Sequence, residues 1–222
     1  MHSIFKYIIL SVFSVLLTAQ AIAAQDKTMP PQTGKPEKAE ETQKTDKSEK
    51  KSDGLASITL KDLSVNFPDV EGWEKGEIQK YPTEELGFSV NYESPKGGRV
   101  TIYVYNGGKK NIADGADDKL IKDELNGAKN EIRKVAELGY YENLKELKNE
   151  TVTLGGAAGK IKSLHTLYNF SAGEQNLTSE IYIFGHQKRF IKIRATRPRD
   201  KNETGDKMTA ELLEEIDAFF SN

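Results

Sequence analysis

Residues Arg99 to Tyr105 read RVTIYVY, and polar and apolar side chains alternate along them. A period of two puts residues 99, 101, 103 and 105 on one face of a strand and 100, 102 and 104 on the other. The run before it, Leu86 to Tyr92, places Phe88, Val90 and Tyr92 on one side. Gly97-Gly98 joins the two, which predicts a hairpin. Four more strands are expected at Leu144–Leu154, Lys160–Phe170, Leu177–Phe184 and Arg189–Thr196, with turns at 155–159, 171–176 and 185–188. Links this short join antiparallel neighbours, so an antiparallel sheet dominates the expected fold. Gly97-Gly98 leads into a strand, whereas a phosphate-cradling loop opens a helix, so this pair is a turn.

Two helices interrupt or follow the strands. Between 116 and 138, Ile121, Leu125, Ala128, Ile132 and Val135 recur at spacings of four and three, a core-facing stripe. Asp114 is the expected cap, Asp117 and Asp118 the expected first-turn acids, and Gly139 the expected end. The chain closes with Met208, Leu212, Ile216, Phe219 and Phe220 along one side of a second helix. Strands, a long helix, more antiparallel strands and a terminal helix predict an α+β fold, a mainly antiparallel sheet flanked by two main helices. Trp73, the only tryptophan, is expected to plug an edge of the core.

The N-terminal segments carry a different message. Lys6, the apolar run Tyr7 to Leu17 and Ala21-Ile22-Ala23-Ala24 have the parts of a secretory signal, so residues 1–24 are expected to be a signal peptide. Residues 25–54 hold seven basic and seven acidic residues and one Met as their only large apolar side chain. That composition predicts a disordered charged linker. Residues 55–222 are left as a single α+β domain. The strand-like start ITLKDLSVNF at 58–67 belongs to it. The chain has no cysteine, so a disulfide framework and a lipidated cysteine are both excluded. A cysteine-free domain behind a short signal is expected in a bacterial periplasm or the medium. Four Asn-x-Ser/Thr triplets, at Asn149, Asn169, Asn176 and Asn202, are read as turn chemistry. The 24 basic and 27 acidic residues of the domain give no electrostatic case for nucleic acid. Membrane association is expected only if the signal is retained.

The stretches FSVNYESPKGGRVTIYVYN, ETVTLGGAAGK and RFIKIRATRP, with a helix after the first and a closing AFF helix, resemble the PsbP-like fold and its bacterial DcrB-like secreted relatives. The resemblance covers most of residues 56–222. It implies a helix–sheet–helix sandwich that serves as an accessory or binding module without catalysis, and it assigns no functional residue.

Gly155-Gly156-Ala157-Ala158-Gly159-Lys160 falls one residue short of a P-loop, has Ile161 where Ser or Thr would hold magnesium, and is followed by a strand. His165 and His186 lack the further ligands of a zinc site and are expected to pack or face solvent. Asp114, Asp117, Asp118, Asp123 and Glu124 do not follow the calcium-loop order, and capping accounts for the first three. No metal or cofactor is expected. The sheet's polar parity stands out instead. Arg99, Thr101, Tyr103 and Tyr105 share a strand face, as do Glu180 with Tyr182, and Lys192 with Arg194 and Thr196. If these faces coincide, Tyr103, Tyr105, Tyr182, Lys192 and Arg194 form a surface of the kind enriched at binding hot spots; the alternative is a partly helix-covered face on which the tyrosine rings pack and their hydroxyls reach solvent. The expected function is a secreted, non-enzymatic accessory module that binds a protein or envelope component there. The alternatives are a glycan- or ester-acting enzyme using carboxylates such as Glu180, and a small-ligand carrier with a pocket between helix and sheet.

Overall fold

A computed structural model describes residues 67–221. The expected signal peptide (1–24), the linker (25–54) and nearly all of the early strand (58–67) lie outside the described residues. Phe67 alone of that strand is described; it is buried but not in a strand.

The described residues form an α+β fold. Two short strands, β1 (Glu74–Lys75) and β2 (Gln79–Lys80), precede the hairpin of β3 (Phe88–Ser94) and β4 (Gly98–Tyr105). Helix α1 spans Lys119–Glu137. Strands β5 (Glu142–Thr153), β6 (Lys162–Ala172), β7 (Gln175–His186) and β8 (Arg189–Pro198) follow, and helix α2 (Asn202–Ser221) ends the chain. All pairings are antiparallel, in the order β1-β3-β4-β8-β7-β6-β5, with β2 also on β3. The hairpin closes at Gly98, where φ is +86° and an added Cβ would lie 2.3 Å from the Thr196 carbonyl oxygen. Glycine is therefore required both by conformation and by space.

The two faces of the sheet differ. On one face, Phe88, Val90, Tyr92, Val100, Ile102, Val104, Ile191 and Ile193 form an apolar layer. Leu212, Leu213, Ile216 and Phe220 of α2 cover it. Trp73 joins this core at its edge and donates its indole N–H to the Met208 carbonyl oxygen at 3.3 Å. On the other face, α1 packs against β5, β6 and β7.

Helix α1 begins later than the acidic run suggests. Asp118 is its cap, accepting from the Leu120 N–H at 2.7 Å. Asp114 instead accepts from the Gln187 N–H at 2.7 Å and ties the preceding loop to the β7–β8 turn. Asp117 lies before the helix, whose first turn holds no acid. Ile121, Leu125, Ala128 and Ile132 are buried as their spacing requires. Gly139, at φ +80°, ends the helix.

Candidate functional site

The register resolves the question of coincident faces. Tyr103 stands opposite Lys192, Thr101 opposite Arg194 and Arg99 opposite Thr196, so these residues share the face that carries α1. On β3, Ser89, Asn91 and Glu93 continue the same rows. Tyr182 does not join them. It stands opposite Ile193, so it faces the α2 side with Glu180. The expectation that Tyr182 shares a face with Tyr103, Tyr105, Lys192 and Arg194 is thus corrected. Strand β7 is buried along both faces, and parity within it could not select one.

The polar half-face on β3, β4 and β8 is laced together laterally. The Thr101 hydroxyl donates to Asn91 Oδ1 at 2.8 Å, and the Arg99 guanidinium pairs with Glu93 at 2.5 Å. Lys192 Nζ lies over the rings of Tyr103 and Tyr105, 5.1 and 5.3 Å from their centroids, within cation–π range. The Tyr105 hydroxyl donates to Glu124 of α1 at 2.5 Å. Burial and the Glu124 charge push that hydroxyl well above the ordinary tyrosine range. Arg194 donates to the Tyr141 hydroxyl at 2.9 Å. Burial opposes its charge, and Tyr141, Tyr103 and Glu131 outweigh that opposition. Glu131, on α1, is itself pushed up by burial. The predicted set therefore divides. Tyr105 and Arg194 spend their polar groups on α1 and on the segment after it, while Tyr103 and Lys192 stay half-buried with no hydrogen bond among the described residues fixing their ends.

A second constellation lies on the α2 side. Glu180 accepts from Arg197 at 2.7 Å and from the Tyr182 hydroxyl. Arg197 also donates through Nε to Asp206 of α2 at 2.6 Å. His165 stacks on Tyr182, with ring centroids 4.5 Å apart and planes 18° apart. Its Nδ1 lies 3.6 Å from Glu150 and its Nε2 3.6 Å from Glu180, both longer than a hydrogen bond. Burial works against the Glu180 charge. The His165, Arg197 and Tyr182 contacts outweigh it and hold this carboxyl at about 2. Burial and the Glu180 charge together push the Tyr182 hydroxyl far up. Beside the cluster, a cavity of about 400 Å³ opens between β5–β8 and α2.

His165, expected to pack or face solvent, stacks in this cluster, and Arg197, for which the sequence raised no expectation, lies at its centre. The signal was available. Arg197 falls on the same strand parity as Ile191, Ile193 and Ala195, so a charge had to enter the core layer and find partners there.

Of the remaining candidates, Gly155–Lys160 forms the turn between β5 and β6, with a short 3₁₀ segment at Gly156–Ala158. Asp217 of α2 accepts from the Lys160 and Ile161 N–H groups at 3.0 and 2.8 Å and fixes that turn. His186 packs edge-on against Phe220 at 5.2 Å. Asp123 pairs with Lys119 one helical turn away. No protein-family model matches the chain, and no curated protein does so either. Among the described residues, no helix is long and apolar enough to cross a membrane.

Proposed function

We propose that this protein is a secreted, periplasmic accessory module of the PsbP-like kind. In this reading it is not an enzyme, and it holds a protein or another envelope component on the polar half of its sheet around Tyr103 and Lys192. The observation that carries the reading is the Tyr103–Lys192 pair. The two stand opposite each other on β4 and β8, an ammonium over an aromatic ring, half-buried at the sheet's centre. The apolar layer on the other side is filled by Val100, Ile102 and Val104 without them. A rigid aromatic anchor beside a cation suits recognition of acidic or hydroxyl-bearing groups. Tyr105 serves as a support that ties β4 to α1, and Arg194 as one that ties β8 to Tyr141, just after the helix.

A carboxylate enzyme draws less support. Glu180 is engaged by Arg197 and Tyr182 and stays ionised far below neutral pH, so it is poorly suited to proton donation. Its neighbour Asp206 shares the same guanidinium.

The test is Tyr103→Ala combined with Lys192→Ala. Among the described residues neither side chain is fixed by a hydrogen bond, so the melting temperature should change little. Capture of specific partners from a bacterial envelope extract should fall strongly, as hot-spot truncation costs about 2 kcal/mol or more per residue. A stable double variant that captures everything the parent captures overturns the surface. A strongly destabilised one makes the pair structural and overturns it equally.

A further inference from the structure

We infer that His165 is a proton-operated fastening of the edge strand β5. Its imidazolium bridges Glu150 of β5 and Glu180 of β7, and loss of one ring proton frees Glu150 while Glu180 stays bound. The row lies on the opposite face of the sheet from Tyr103 and Lys192, so it stands or falls independently of the surface proposed there.

The geometry is a short row across three strands. His165 is 6 % exposed and stands opposite Glu150 on one side and Tyr182 on the other. Stacking on Tyr182 fixes its plane. Both ring nitrogens are buried with no hydrogen bond, and each faces a carboxylate: Nδ1 lies 3.6 Å from Glu150, Nε2 3.6 Å from Glu180. Buried polar atoms are rarely left unpaired. An imidazolium has an N–H for each carboxylate, whereas a neutral ring has one and turns a lone pair towards the other. The number of ring protons therefore decides whether one or both gaps can close to a hydrogen bond. The neighbouring charges favour two. Glu150, Glu180 and Asp206 are three anions, against Lys148 and Arg197 as two cations. A charged ring brings the group to neutrality. Tyr182, the remaining titratable neighbour, stays neutral because burial and Glu180 push its hydroxyl far up.

The two contacts are unequal. The Glu180 side chain is 12 % exposed and that of Glu150 47 %. A buried carboxylate that loses a donor has no water to replace it, so its loss costs more. Glu150 can turn to solvent or to Lys148, whose Nζ is 3.7 Å away. The last ring proton therefore stays on Nε2, facing Glu180, and Glu150 is the group released. Glu150 lies in the one unbroken stretch of β5, since the register slips twice before Lys148 and runs evenly from there to Thr153. Releasing it removes a tie from the stretch that holds β5 to the sheet, so local opening there becomes more frequent. The tie is present while the ring holds both protons and is lost as pH rises through the ring's titration.

The test follows the ring and the strand together in the isotope-labelled full chain, from about pH 5 to about pH 9, across the ordinary range of histidine titration. Ring nitrogen shifts of His165 should show both nitrogens protonated at the low end and the Nε2–H tautomer at the high end. Over the same pH step, β5 amides between 148 and 153 that donate to β6 should exchange about two- to fivefold faster after correction for the intrinsic rate, the scale of a part-exposed ion pair. Amides of β3 and β4 should show no such step, which separates local opening from a change in global stability. Glu150→Gln, an exposed and nearly isosteric change, should abolish the step at β5 and lower the midpoint of the ring's titration by about 0.3–0.7 pH unit, the same factor read through linkage. A ring whose protonation does not change over this range overturns the fastening. So does an Nδ1–H tautomer at the high end, β5 exchange without a step, or a midpoint that Glu150→Gln leaves where it was.

Discussion

Arg197 sits on the core side of β8 and is 4 % exposed, so its charge depends on the partners around it. It draws Glu180 from the neighbouring strand and Asp206 from α2 into one network. A buried ion pair like this contributes less to net stability than its geometry suggests, but breaking it on one side is costly. That cost can be read through pH. The folded Glu180 carboxyl titrates at about 2 rather than the ordinary 4.5. A depressed folded value contributes stability above the unfolded value, and that contribution is lost as pH falls from about 4.5 through about 2. It amounts to something on the order of 3 kcal/mol at neutral pH. Denaturant unfolding of the parent and of Glu180→Gln should therefore differ most near pH 7, and the difference should shrink towards pH 2. A gap between the two that is independent of pH would mean that the Glu180 charge is not what this network stabilises. Much of the residue-scale chemistry was hidden in the sequence because it depends on register. Tyr103 and Lys192 become opposite neighbours only once β4 and β8 are aligned, and Tyr182 leaves them only once β7 is.

Elements were easier to read than residues. Period-two alternation marked β3, β4, β6 and β8 to within two residues at each end, because one face of each is apolar and the glycine turns between them are short. The start of α1 was less legible. Asp114, Asp117 and Asp118 are all suitable caps, and only the tie between Asp114 and Gln187 in the folded chain leaves the role to Asp118. The spacing of Leu212, Ile216 and Phe220 did mark α2 as a covering helix, and all three are buried. Leu213, three residues before Ile216 and seven before Phe220, belongs to the same helical stripe and is buried as well. Asp217 adds a polar fastening to the β5–β6 turn. Deleting 211–222 removes all of this. Burial of Leu212, Leu213, Ile216 and Phe220 is worth roughly 1.5–3 kcal/mol each, against a total stability of about 5–15 kcal/mol for a domain. The truncated protein should lose its cooperative thermal transition and bind a hydrophobic dye. A truncated chain that still melts cooperatively would show that the sheet's apolar layer is stable without α2.

At the scale of the whole molecule, the sheet is protected unevenly. β4, β8 and β7 lie at its centre, paired on both sides, whereas β5 has a neighbour on one side only among the described residues. A twelve-residue edge strand is an invitation to pair with another chain. This one carries features that discourage it. Its register slips between Glu142 and Lys145 and again between Glu146 and Lys148, and most of its residues are exposed and charged or polar. Bulges and exposed charges of this kind keep edges from joining. Native-state amide exchange should follow that gradient. Amides of β4, β7 and β8 should open only with global unfolding, because their hydrogen bonds sit beneath a helix or between two neighbours. Along β5 from Lys148 to Thr153, amides that donate to β6 should be protected and those pointing away should exchange within the first measurement. Alternation with period two along β5 is the expected pattern. Uniformly slow exchange there would mean that the edge is covered in solution, and a concentration series would then show whether a second copy of the chain covers it.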